Sequence, residues 1–247
     1  MVEPQGGLME FLASVLAWFV DPANWQGRSG IPNRTLEHLQ LSGLALACAA
    51  AVAIPGGVML GHVRKGGVLA VAVVNVGRAL PSFAVIALAL PFSLRLGLGL
   101  GFWPTFLALF LLAIPPMFTN AYTAVREVGA DVVESARGMG MREHQVLVGI
   151  EVALAWPVML AATRVAAVQV IATAPLGALV GWGGLGRYII DGFAQQDYVE
   201  VMAGAVLVAV VALGVDASFG LVERVAMPSG VRRVGRAPDV VEAAHPV

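Results

Sequence analysis

Five apolar stretches, at 39–61, 68–90, 102–125, 152–180 and 199–222, run through this chain of 247 residues. Each is longer than the ~20 residues a helix needs to cross a hydrocarbon core about 30 Å thick. One soluble core cannot hide so much apolar sequence. The chain is 58% hydrophobic and 13% charged, against about 25% charged in ordinary soluble domains. Lipid offers no partner to a bare N–H or C=O, so each stretch must satisfy its backbone internally. An all-α integral membrane fold follows.

The N-terminal segment, 1–33, holds one shorter apolar run, Leu8–Val20. As a helix it reaches only about 20 Å, so it is expected to lie at the interface or to form a short tilted span. Glu3 and Glu10 stand where a cleavable signal would carry basic residues, so no such signal is expected. The segment 225–247 is rich in Pro, Gly and charge and reads as a disordered tail. A net charge of -1 argues against a nucleic-acid surface. Cys48 is the single cysteine, which excludes an intrachain disulfide and gives no metal-ligand spacing.

Three spans are interrupted. Asn75, Arg78 and Pro81 break the second, Pro115 and Pro116 the third, and Pro157, Arg164 and Pro175 the fourth. Proline inside a span is tolerated where protein or a lined cavity satisfies the freed carbonyls. Such breaks predict a pathway lined by spans two to five, with Asn75, Arg78, Pro81, Arg164 and Thr173 facing it. No carboxylate is expected at the depth of Arg78 or Arg164, so their partners would be carbonyls, Asn75, Gln169 or water. Interior pairing without a transport role is the competing reading of both arginines.

Lys/Arg bias sets the orientation. With the loop after the first span in the cytoplasm, Arg64, Lys65, Arg126, Arg137, Arg142, Arg224, Arg232, Arg233 and Arg236 lie inside. Arg28, Arg34, Arg95 and Arg187 lie outside. The loop 126–151 is therefore cytoplasmic. It reads as helical from Gly129 to Met139, with Asp131 and Glu134 towards its N-terminus and Arg137 towards its C-terminus, as the helix dipole favours. Gly138 and Gly140 close it.

No catalytic constellation emerges. His38, His62, His144 and His245 share no spacing, and Glu134 sits alone in a solvated loop. Gly181, Gly183 and Gly186 match G-x-G-x-x-G literally. The strand, helix and distal acid of a nucleotide site are missing, so 181–186, with Gly184, reads as a tight external turn. No metal site and no ATP-binding motif is expected in this chain.

The stretch Glu134-Ser135-Ala136-Arg137-Gly138-Met139-Gly140, with Ile150 beyond it, resembles the coupling motif of binding-protein-dependent ABC importer permeases, E-A-A-x3-G-x9-I-x-L-P. Glu134, Ala136, Gly140 and Ile150 match in register, while Ser135, Val152 and Ala153 depart. Ala153 in place of proline leaves the turn after the coupling helix open. The stretch 75–82 looks like the family's N-x-x-R-x-x-P-S, and 115–123 resembles the segment before its coupling loop. Residues 136–141 and the turn 181–186, with Trp182 for alanine, are similar to the quaternary-amine branch that imports glycine betaine, carnitine, choline or proline-type osmoprotectants.

The resemblance covers 34–224 and implies a five-helix type I permease core preceded by the short apolar helix. It implies a second permease, two cytoplasmic ATPase subunits carrying ATP-Mg, and an extracytoplasmic solute-binding protein, in a bacterial or archaeal cytoplasmic membrane. The chain itself would hold no cofactor. Methionine-importer permeases are the nearest alternative. An ion-coupled secondary transporter would instead show inverted repeats and intramembrane acids, and the sequence displays neither. An aromatic cage would suit a quaternary ammonium, but the few aromatics suggest no cluster.

Overall fold

The computed structural model describes residues 7–64, 66–77 and 80–226, without the side chains of Val68 and Ala226. The expectations for Lys65, Arg78 and the tail from 227 onward lie outside the described residues. The described chain is helical, as the apolar runs require. Among the described residues, four helices are long and apolar enough to cross a membrane: Ile31–Val63, Phe102–Arg126, Glu143–Val180 and Tyr198–Val225.

Helix α1 spans Leu8–Val20 and packs against the last helix of the chain. Helix α2, Ile31–Val63, has 33 residues, about 50 Å at 1.5 Å per residue. It begins eight positions before the expected span, and its early turns carry Arg34, Glu37 and His38. The second apolar stretch is not one helix. Helix α3 covers Gly67–Val76 and helix α4 covers Ser82–Arg95, with Pro81 at the N-cap of α4. Proline has no N–H to continue the ladder and pushes the preceding residue out of the helical region. The outcome is two helices, each too short to cross alone, in place of one interrupted span.

Helix α5, Phe102–Arg126, carries Pro115 and Pro116 inside it. Helix α6, Ala130–Gly138, lies in the following loop. The chain then runs helically from Glu143 to Val180. It passes through α7 (Glu143–Val146), a π-helical turn (Leu147–Val152), α8 (Ala153–Thr173) and a 3-10 segment (Ala174–Val180). There is thus no turn at Ala153: its helical backbone carries the chain onward, where proline would have removed an N–H. Helix α9, Gly186–Gln195, is amphipathic, and α10 covers Tyr198–Ala226.

The bundle is centred on α2 against α5. Leu41, Ala45, Ala49, Ala53, Gly57 and Gly61 recur every four residues along α2, and all are buried. They face Leu109, Ala113, Met117, Ala121 and Val125 of α5, all fully buried. A Cβ at Gly57 would meet the Phe118 carbonyl, and one at Gly61 the Tyr122 carbonyl. Within lipid, helices associate through such close packing of small residues. Ala166, Val170 and Ala174 complete the core. Along α10, by contrast, buried side chains lie in its first half, at Ala203 and Val208.

Candidate coupling and translocation sites

Helix α6 presents two faces. Val133 and Ala136 are buried and pack with Val128 and Val146, flanked by Met141 and Ile150. Motif residues Ala136 and Ile150 therefore belong to one small apolar cluster, which explains their fixed spacing. Gly140 closes the helix at φ 87. Its N–H donates to the Arg137 carbonyl at 2.9 Å, and the Met141 N–H to the Ala136 carbonyl at 3.2 Å. These two bonds form a Schellman cap, whose left-handed residue is favoured as glycine. Gly138 is simply the last helical residue. Glu134, Ser135, Arg137, Gly138 and Met139 are exposed, Met139 at 77%.

Polar contacts tie this loop to the bundle. Arg137 donates Nε and Nη2 to the two oxygens of Glu143, each at 2.9 Å. That carboxylate raises the guanidinium pKa above its ordinary value. Glu143 Oε2 also lies 3.4 Å from His62 Nε2. The other ring nitrogen of His62 lies 2.5 Å from Glu151 Oε2. Glu151 is 1% exposed, and its Oε1 has no hydrogen-bond partner among the described residues. Sequence reasoning left His62 among scattered histidines. The available signal was a lone acid directly after motif residue Ile150.

At the opposite end of α8, the glycine turn docks on α2. Gly181 and Gly184 have φ 87 and 77. The Gly184 N–H donates to Glu37 Oε2 at 2.8 Å, and the same oxygen pairs with Arg34 at 2.9 Å. A Cβ at Gly183 would strike Glu37, and one at Gly186 would strike the Pro175 carbonyl. Nearby, buried His38 places Nε2 3.1 Å from the Ile171 carbonyl. Tyr188 of α9 donates to the Ser29 carbonyl, and burial pushes its pKa up to about 12. Neither Arg34, Glu37 nor His38 was singled out from the sequence.

Trp182 from this turn joins Phe102, Trp103, Phe106 and Phe110 of α5 in a ridge of edge-to-face and stacked rings, with centroids 5.2–6.0 Å apart. The sequence did not show this grouping. Its rings meet edge-to-face and stacked along α5, a ridge and not the cage that a quaternary ammonium would call for.

The expectation for Arg164 is also overturned. A carboxylate does lie at its depth. Arg164 donates Nε to Asp216 Oδ1 at 2.6 Å and Nη2 to Oδ2 at 2.7 Å. Its Nη1 donates to Glu223 Oε2 at 3.3 Å. The expected partner Gln169 is exposed and makes no hydrogen bond to Arg164 among the described residues, and neighbouring Thr163 bonds the Met159 carbonyl instead. The three side chains are 34%, 37% and 24% exposed. Beside them a cleft of about 490 Å³ is lined by Arg164, Ala217, Gly220, Leu221, Glu223 and Arg224.

The remaining pathway candidates do not converge on that cleft. Asn75 lies on α3, with its Oδ1 buried and unpaired among the described residues. Pro81 is exposed at the start of α4, and Thr173 is half-buried at the end of α8. No hydrogen bond or ion pair joins the candidates to one another among the described residues.

Comparison with known proteins bears directly on this arrangement. Residues 53–226 match the family described as binding-protein-dependent transport system inner membrane component. The choline transport system permease protein OpuBB of Bacillus subtilis is 34% identical over 201 residues, covering 81% of this chain and 90% of that one. The carnitine transport permease protein OpuCB of Listeria monocytogenes is 36% identical over 81% of this chain and 89% of its own. The osmoprotectant import permease protein OsmY of Salmonella typhimurium is 35% identical over 73% of this chain and 75% of its own. Among solved structures, an inward-facing MetNI methionine ABC transporter matches with a TM-score of 0.69 at 21% identity, over 80% of this chain and 96% of that chain. The last likeness shows the fold. The family match and the relatives together show that this chain belongs to the binding-protein-dependent transport system inner membrane components, the permease subunits of ABC importers.

Proposed function

We propose that this permease carries a quaternary-amine osmoprotectant, of the choline, carnitine or glycine betaine class. The observation that carries the reading is the run of relatives named for these solutes, at 33–36% identity over 81% of the chain. The methionine transporter shares the fold at 21% identity, which speaks to architecture alone. Uptake of labelled choline, carnitine, glycine betaine and methionine in cells lacking their own uptake systems decides the matter. The chain must be expressed there with its ATPase and binding protein. Uptake of methionine without any quaternary amine would overturn this reading.

In this reading α6 docks a cytoplasmic ATPase through Glu134, Ser135, Arg137, Gly138 and Met139. Ala136, Gly140 and Ile150 hold it in place. Two such ATPases, with ATP-Mg, would serve two permeases and one extracytoplasmic binding protein in a bacterial or archaeal cytoplasmic membrane. Arg164, with Asp216 and Glu223, would border the translocation path. Asn75, Arg78, Pro81 and Thr173 stay as further candidates along it. A buried apolar face beneath an exposed one suits a docking element, because the helix is fixed from below and free above. The half-exposed ion cluster suits a path, because charge within a span is expected to meet protein or water, not lipid.

A further inference from the structure

Four side chains from four elements stand in series at the cytoplasmic end: Arg137 of α6, Glu143 of α7, His62 of α2 and Glu151 of the π-helical turn. The joins differ in kind. The Arg137–Glu143 contact is bidentate, so it fixes orientation as well as distance. It is also exposed, at 45% and 60%, and exposed pairs are weak. The His62–Glu151 contact is sealed, with side chains 14% and 1% exposed. A buried carboxyl group that parts from its hydrogen-bond partner is left unsatisfied in a low-dielectric site. The contact thus ties the end of α2 to the start of α8. Glu143 approaches the second ring nitrogen of His62 from the exposed side, at 3.4 Å. The π turn adds an irregular ladder at the point where the series enters α8, a feature common at functional sites.

We propose that Glu143 and His62 are positioning residues that carry movement of α6 into α2 and α8. Glu143 is the joint that grips the docking helix, and the His62–Glu151 pair is the rigid end that turns the bundle. The inference rests on the reading of α6 as the ATPase-docking helix.

The test uses the assembled importer in lipid vesicles. It follows co-purification of the ATPase with the permease, basal ATP hydrolysis, and hydrolysis stimulated by loaded binding protein. Glu143→Gln changes an exposed side chain and leaves the sealed pair intact, so folding is safe. It should keep co-purification and basal hydrolysis and lose roughly tenfold in stimulation, within the span of known site-to-site couplings. His62→Leu should lose stimulation as well, and His62→Lys, which again offers a donor towards both carboxyl groups, should recover most of it. Full stimulation in Glu143→Gln overturns the proposal. So does loss of co-purification in that variant, because Glu143 would then belong to the docking surface itself. Glu134→Arg with Ser135→Trp, both on the exposed face of α6, separates the two readings. Intact ATPase co-purification in that variant overturns the docking assignment, whereas lost co-purification there with full stimulation in Glu143→Gln leaves docking standing and overturns the linkage alone.

Discussion

Two charged clusters mark this bundle, and they are built oppositely. At the α6 end of the bundle the series ends in a carboxyl group that is 1% exposed, held by one imidazole. Midway along α8 and in the second half of α10, Arg164 grips Asp216 and touches Glu223, with all three partly open to a cleft. The sealed cluster joins elements from distant parts of the chain. The open one faces a cleft that Arg224 also lines, along the half of α10 that has no buried side chain among the described residues. Similar residues therefore serve two ends: one cluster holds helices together, the other presents charge to a cleft.

Breaking each cluster should have different consequences. The largest effect on stability is expected from His62→Leu, which strands Glu151 as a buried charge. The cost is on the order of 3–5 kcal/mol, read as a lower melting temperature of the detergent-solubilised permease. A melting temperature equal to wild type would show that Glu151 is not held as an ion pair. Arg164→Lys should leave that melting temperature nearly unchanged and still abolish most uptake per surface molecule. The planar fork spans Asp216 and Glu223, whereas lysine offers a point charge. Near-normal uptake with lysine would return Arg164 to plain packing and erase the contrast.

The link between α6 and the bundle can be weakened more gently. Gly140→Val forces a β-branched residue into a left-handed φ, at a strain of roughly 1–3 kcal/mol. It should cut stimulated ATP hydrolysis while membrane insertion stays intact. Full stimulation would mean that the cap does not set the pose of α6. The smallest effect is expected from Asp131→Asn, which removes a charge from the first turn of α6. Such dipole contacts are worth about 0.3–1 kcal/mol. Hydrogen exchange of the α6 amides should quicken slightly, with stimulation near wild type, and a large loss would place Asp131 in the docking face.

Local patterns carried much of this architecture. The lengths of the apolar runs specified helices, and Gly140 marked where α6 ends because a left-handed cap favours that residue. The failures share a cause: they depend on matching depth between distant helices. Arg164 lies eleven positions after the start of α8, and Asp216 ten before the end of α10. In antiparallel neighbours these counts coincide. Ending the last span at 222 hid the match, because α10 in fact continues to Ala226. The same limit hid His62 and Glu151, which are 89 positions apart. Pro81 announced a break in the second span, but that both short helices, α3 and α4, then pack against α5 was not visible in it. The aromatic ridge likewise required Trp182 to fold back onto α5.

The most direct test is a site-specific cross-link. Met139 is 77% exposed on α6, whereas Gln195 is exposed at the end of α9, beyond the other end of α8. Single cysteines at these positions, in a Cys48→Ala background, are placed in the assembled importer in intact cells. The account predicts that Met139→Cys cross-links to the ATPase and is shielded from an impermeant external thiol reagent. Gln195→Cys should react with that reagent and never reach the ATPase. External labelling of Met139→Cys, or an ATPase cross-link from Gln195→Cys, would contradict both the orientation and the coupling role.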